Sequence, residues 1–295
     1  MSGAQVAVIG GSGFYQMAGL SEIEELRIET PFGATSDAIV VGALEGTRVA
    51  FLPRHGAGHR LLPSEVPARA NIWALKQLGV ERIISVSAVG SLREEIAPLH
   101  LVVPDQLIDR TQGRPSTFFG RGLVVHIGFD QPFCPALGEL LVGGGLDTGA
   151  TVHAGGTSLV VEGPAFSTRA EAQIYRSWGA DIIGMTALPE AKLAREAEVC
   201  YSTLALVTDY DTWNDSHPPV SVEMIVANLM ENVDTAKRAI ATVVRALPSA
   251  GECRCRSALS LSLLTLAEHV SDDVKRDLAP IIGRYMAVGT GAWDG

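Results

Sequence analysis

Short runs of β-branched and aliphatic residues alternate along this chain with longer stretches in which apolar residues recur every three or four positions. The short runs predict strands at Gln5–Ile9, Ala38–Val41, Arg48–Leu52, Arg82–Ser87, Leu101–Val103, Ser158–Val161, Asp181–Met185 and Thr203–Thr208. Several are apolar throughout, as expected of strands covered on both faces. The longer stretches predict helices at Ser64–Leu78, Ser167–Trp178, Leu188–Val199 and Ser221–Leu247. In the last of these Ser221 stands at the N-cap, and Val222, Ile225, Val226, Leu229, Val233 and Ile240 repeat with helical spacing. The alternation predicts an α/β fold, a single domain whose central mixed, mostly parallel sheet is flanked by helices. After Leu247 the segment PSAGECRCR breaks the pattern. Residues 1–247 therefore read as one domain. Residues 248–295 read as a C-terminal helical extension, with a short apolar helix near Leu259–Val270, packed on that domain or on a neighbouring subunit.

Charge narrows the possible partners. The 295 residues carry 23 Lys+Arg against 33 Asp+Glu, a net charge of −10. Such a surface repels phosphate backbones, which argues against a nucleic-acid polymer but leaves room for a small anion in one local pocket. No stretch approaches the roughly 18 apolar residues of a membrane span, and no secretory signal pattern opens the chain, so the expectation is a cytoplasmic protein without a membrane partner. The cysteines are Cys134, Cys200, Cys253 and Cys255. The Cys-x-Cys pair is compatible with redox, metal or disulfide chemistry; without a second pair at matching spacing, zinc is disfavoured and free thiols are the default.

Candidate chemistry gathers where predicted strands end. IGGSG (Ile9–Gly13) follows the first strand, and its small residues let backbone N–H groups and the Ser12 hydroxyl approach an anion. Its spacing matches neither a dinucleotide fingerprint nor a P-loop. Arg54 and His55 follow VAFLP, Ser87 and the Ala88 N–H lie in SVSAVGS, and Thr186 lies in GMTALPE. Each alone reads as turn or surface chemistry. Four strand ends that together offer hydroxyl, guanidinium and N–H donors suggest one phosphate site. Asp209 and Asp211, two apart in LVTDYDTW, would share a face if extended, and their proximity favours one held proton near neutrality. A capping or turn pair, or a metal site, would use the same residues. In EGPAFSTRAE a capping box, Thr168-x-x-Glu171, follows Phe166 and Ser167, where Phe166 is either a staple or a stacking surface for a flat base.

Read together, IGGSGFY, PFGATSD, RHGAGH, ANIWALK, SAVGSLREEI, DQLIDRT, EGPAFSTRAE, GMTALPE and VTDYDTW resemble the trimeric branch of the purine nucleoside phosphorylase family, from about Val6 to Leu247. The resemblance implies phosphorolysis of a purine nucleoside with inorganic phosphate as co-substrate, no cofactor, no metal, and a homotrimer or dimer of trimers. It places Ser12, Arg54, His55, Ser87, Ala88 and Thr186 around phosphate, and Met185 beneath the ribose. Phe166 would lie beside the base, with Ser167, Asp209 and Asp211 facing N7 and the 6-position. Val222, Ile225 and Val226 would line the 5′ pocket, and His126 would reach it from a neighbouring subunit. Family members acting on 6-oxopurines carry Glu, Asn and His where this chain has Ser167, Asp209 and Val222. A carboxylate accepts from a 6-amino group, whereas a 6-oxo group would leave two acceptors opposed, at about 1–3 kcal/mol. With an apolar wall of Val222, Ile225 and Val226 suiting a methylthio group better than a hydroxyl, the expected substrate is 5′-methylthioadenosine, with Asp209 assisting departure of the purine. The alternatives are a 6-oxopurine-preferring phosphorylase, such as one for 5′-methylthioinosine, or a broad purine nucleoside phosphorylase, and a non-catalytic nucleoside-binding protein. The extension with Cys253-x-Cys255 resembles that of longer family members, some of which form disulfides there.

Overall fold

The computed structural model describes residues 3–11, 14, 17–214, 221–248, 253–286 and 288. Thirteen strands are present among them: β1 (Val6–Gly10), β2 (Ser21–Leu26), β3 (Glu29–Thr30), β4 (Gly33–Ala34), β5 (Ile39–Leu44), β6 (Thr47–Pro53), β7 (Arg82–Ser91), β8 (Leu101–Val103), β9 (Gln106–Arg110), β10 (Val152–Ala154), β11 (Thr157–Val161), β12 (Ile182–Gly184) and β13 (Cys200–Asp209). The helices are α1 (Ala68–Gln77), α2 (Pro135–Leu146), α3 (Arg169–Ser177), α4 (Ala187–Glu196), α5 (Val222–Ala246), α6 (Asp272–Asp277) and α7 (Ala279–Ile282). Eleven strands form one sheet, in the order β10-β8-β13-β7-β1-β6-β5-β2. The ten-residue β7 also carries β12 at its far end, and through it β11 and β9. The pairings β1–β6, β1–β7, β13–β7, β8–β10, β11–β12 and β9–β11 are parallel, against four antiparallel ones. The sheet is thus mixed and mostly parallel, as its apolar strands predicted.

Strand pleat sorts the two faces. On β1, Ala7 and Ile9 join Ile72, Leu75, Ile83 and Leu193 in one apolar layer beneath α1 and α4, while Val6 and Val8 join Leu141, Leu204, Ala239 and Ile240 beneath α2 and α5. Helix α2 is invisible to periodicity because three consecutive glycines close it. A Cβ on Gly144 would meet Val243 Cγ2 at 2.7 Å and the Ala239 carbonyl oxygen at 2.8 Å, so glycine is what lets α2 lie against α5. The α1 stretch starts later than its apolar spacing suggests: a turn of 3₁₀ helix covers Pro63–Glu65, and Pro67 occupies the N-cap of α1. Both sequence caps form. Ser221 Oγ accepts from Met224 N–H, and Thr168 and Glu171 make their reciprocal box.

No helix forms over Leu259–Val270. The Leu264 N–H donates to Val124 O and the His126 N–H to Ser262 O, with a bridge between Val125 and Leu263. Backbone groups committed to a neighbouring segment cannot close i→i−4 bonds, and only Ala267–His269 winds into a 3₁₀ turn. The helices of this region are α6 and α7. Leu259, Val274, Leu278, Ile281 and Ile282 enter the same apolar layer as α1, and Trp73 Nε1–H donates to Asp277 O at 2.8 Å. No described helix is long and apolar enough to cross a membrane.

Candidate active site

A cavity of about 780 Å³ opens where β1, β6, β7, β12 and β13 end. Arg54, His55, Ser87, Ala88, Phe166, Ser167, Met185, Thr186, Asp209, Asp211 and Ile225 all line it. It therefore brings together residues more than 150 positions apart, at the carboxyl ends of the parallel strands β1, β6, β7 and β13, where open α/β sheets place ligands, with β12, antiparallel to β7, delivering Met185 and Thr186 to the same place. Ser12 lies outside the described residues. Val222 and Val226 are exposed and do not line the cavity; α5 instead turns Ile225, Leu229 and Val233 toward it. His126 is also exposed and away from the cavity, in the segment paired with Ser262.

The donor floor is built from strand ends. Ser87 Oγ and Thr186 Oγ1 lie 3.0 Å apart, joining β7 to the end of β12. Arg54 is buried. Its Nε–H donates to Glu190 Oε1 at 2.6 Å, Nη1 to Val86 O at 2.8 Å, and Nη2 to Ser85 Oγ at 2.7 Å and Glu190 Oε2 at 3.1 Å. A guanidinium has five N–H donors, so one Nη1 hydrogen is left over from these contacts. Desolvation and the neighbouring Arg54 charge push the His55 pKa down to about 4. Its ring is therefore neutral at pH 7. Nδ1 lies 2.8 Å from Leu61 O, which can only accept, so Nδ1 carries the hydrogen and Nε2 is an acceptor.

The acid pair arises from a turn rather than from strand alternation. β13 ends at Asp209, and Asp211 sits in the left-handed region at φ 47°, with its N–H donating to Asp209 Oδ1 at 2.8 Å. This local loop, not an extended backbone, gathers the carboxyls. Thr208 Oγ1–H donates to Asp209 Oδ2 at 2.7 Å, while Asp211 Oδ2 is buried without a partner among the described residues. Burial raises both pKa values, most clearly that of Asp211, which burial and then the Asp209 charge push to about 7. The Ser167 hydroxyl is likewise buried and unpaired, and Phe166 is 46% exposed at the rim, not stapled onto α3.

The sequence profile of the phosphorylase superfamily matches residues 5–247. The chain belongs to that superfamily. The S-methyl-5′-thioadenosine phosphorylase of Gloeobacter violaceus is 57% identical over 96% of this chain and 97% of its own length, and that of Geobacter sulfurreducens is 55% identical over 95% and 99%. The crystal structure of a methylthioadenosine phosphorylase from an antarctic soil metagenomic library superposes with a TM-score of 0.92 at 49% identity, covering 95% of this chain and 99% of that one. A Schistosoma mansoni adenosine/methylthioadenosine phosphorylase, solved as an S12T mutant with methylthioadenosine, superposes at 0.77 with 36% identity over 82% and 90%.

Within this phosphorylase fold several residues escape sequence reasoning. Glu190 reads as one more polar position on α4, yet it is 1% exposed and also accepts from the Tyr201 hydroxyl at 3.0 Å. The Asn228 and Asn232 amides on α5 donate to Thr208 O and Val207 O, clasping the end of β13. Trp213 Nε1–H donates to Ser91 O, and Arg176 covers the Trp213 ring, which anchors the turn that carries Asp211. Gly90 is a close approach: a Cβ there would meet Asp209 Oδ1 at 2.9 Å and Ile183 Cγ2 at 3.2 Å. Gly90→Ala is expected to displace Asp209 and lower kcat/KM by about 100-fold, the scale of a 1 Å misplacement. Steady-state kinetics beside a melting curve checks this; an Ala variant with unchanged kcat/KM would show that Asp209 is not held against Gly90.

Proposed function

We propose that the protein cleaves 5′-methylthioadenosine with inorganic phosphate, yielding adenine and 5-methylthioribose 1-phosphate. One observation carries the reading: a single cavity is lined both by the buried Asp209–Asp211 pair, whose surroundings favour a held proton, and by hydroxyl, N–H and guanidinium donors. The floor suits a phosphate anion and the pair suits a leaving purine. A phosphate oxygen forms a bond to C1′ as the C1′–N9 bond breaks, and its electron pair moves into the purine. N7 then becomes basic and takes the proton of the acid pair. Ser87, the Ala88 N–H, Thr186 and the remaining Arg54 donor hold phosphate beneath the cationic ribosyl carbon. His55 accepts from the P–OH of the monohydrogen dianion, since its Nε2 has no hydrogen to give.

Asp209 also accepts from a 6-amino group, which favours adenine over hypoxanthine. Ile225, Leu229 and Val233 give the 5′ end an apolar wall that suits methylthio better than hydroxyl. A homotrimer completes the site. Val222, Val226 and Met230 on α5 and Leu261, Leu264 and Leu266 in the extension are exposed apolar side chains that subunit contact would bury, and it would bring His126 of a neighbour to the 5′ pocket. The products feed purine and methionine salvage.

Adenine release from 5′-methylthioadenosine, with and without phosphate and beside 5′-methylthioinosine, tests the assignment. Phosphate-dependent release with 6-amino preference is expected. A 6-oxo preference would overturn the base assignment, and binding without turnover would make the protein a nucleoside receptor. The acid pair also sets a pH dependence. Asp211 holds its proton up to about pH 7, far above an ordinary carboxyl, so kcat at saturating phosphate is expected to fall about tenfold per pH unit above that point. The same raised pKa makes stability decline with rising pH between about 4 and 7, because the folded chain keeps a proton that the unfolded chain has released. A kcat profile that stays flat through pH 7 and one unit above it would remove the pair from the chemistry.

A further inference from the structure

The four cysteines, scattered in sequence, meet at one point. Cys134 stands at the N-cap of α2, Cys200 opens β13, and Cys253 and Cys255 lie where the extension begins. Their sulfurs all lie within 4.8 Å of one another, with Cys200 to Cys253 at 3.4 Å and Cys134 to Cys253 at 3.7 Å. The second pair that the sequence seemed to lack is thus supplied by tertiary structure.

We propose that Cys134, Cys200, Cys253 and Cys255 form a tetrahedral zinc site that fastens the C-terminal extension to the phosphorylase domain. Four thiolates at about 2.3 Å from a central ion stand roughly 3.8 Å apart, close to the separations seen. A disulfide would bring two sulfurs to about 2.05 Å. The donor set is all sulfur and four in number, which suits zinc. Three of the four side chains are buried, which closes the site to substrate and makes it structural. Binding converts four thiols and Zn²⁺ to a tetrathiolate complex with release of four protons, and nothing is oxidised. The site lies at the opposite end of β13 from Asp209, about 30 Å away at 3.3 Å per residue, so it takes no part in phosphorolysis.

The full chain, purified without chelators, is expected to hold one zinc per subunit by elemental analysis. Its four thiols should resist a thiol reagent until chelator or denaturant is added, and then all react without reductant. Cobalt reconstitution should give the thiolate charge-transfer band and the strong visible bands of a tetrahedral site. In Cys253→Ser, where the half-exposed cysteine is replaced, zinc retention against a competing chelator is expected to drop by more than the 10–100-fold that outer partners alone contribute. Metal-free protein whose thiols appear only after reduction would establish disulfides and overturn the site. Metal-free protein with four directly reactive thiols would overturn it equally.

Discussion

In Asp209→Asn, kcat/KM for 5′-methylthioadenosine is expected to fall by about 10²–10⁴-fold, the loss that follows removal of a positioned general acid. The structure separates this chemical loss from a folding defect. Asp209 accepts from the Thr208 hydroxyl and from the Asp211 N–H. An Asn can keep its oxygen toward Asp211 N–H and point its amide at Thr208, whose hydroxyl turns its hydrogen to Val89 O, already 3.2 Å away. No buried group is orphaned, so the melting temperature should barely move. The amide's other hydrogen then faces the cavity as a donor, which disfavours a 6-amino group and favours a 6-oxo group. Parallel assays on methylthioadenosine and methylthioinosine should show the ratio of their kcat/KM values shifting toward the oxo substrate. An unchanged ratio would remove Asp209 from base recognition.

Glu190→Ala is expected to cost about 3–5 kcal/mol of stability, because it leaves the Arg54 charge buried without its partner. Both groups are almost wholly enclosed, at 3% and 2% side-chain exposure, so solvent screens the pair little. Ser85 and Tyr201 lose an acceptor at the same time. The effect reaches function through position. Glu190 grips Nε and Nη2, which directs the remaining Nη1 hydrogen, so phosphate KM should rise at least about tenfold in whatever folded protein is recovered. Chemical denaturation gives the first quantity and phosphate titration the second. A loss under about 1 kcal/mol with normal phosphate KM would mean that Arg54 is held by Val86, Ser85 and Ile9 without Glu190.

These two residues differ in how far the sequence revealed them. Asp209 stood out because a carboxylate pair directly after an apolar strand is chemically unusual. Glu190 did not, since a glutamate on an amphipathic helix normally faces solvent, and only the sheet packing above α4 turns it inward. The same division runs through the fold. Gln5–Ile9 and Thr203–Thr208 were legible because strands buried on both faces are apolar throughout, and the Ser221 and Thr168 caps because capping is local. Helix α2 was not, because three consecutive glycines blur its apolar spacing, nor was the course of residues 259–270, whose backbone partners are distant in sequence.

By itself, then, the sequence determined the alternating α/β architecture, the strand ends that line the cavity, and the superfamily to which the chain belongs, since each depends on local periodicity or on ordered motifs. Tertiary structure alone decided that Asp211 turns back through a left-handed residue onto Asp209, that Glu190 neutralises Arg54, that Ile225 rather than Val222 faces the cavity, and that four remote cysteines converge. The last three depend on burial and on distances between segments far apart in the chain, which are set only when the sheet and its helices pack, and the local turn at Asp211 is anchored by the long-range bond from Trp213 Nε1–H to Ser91 O.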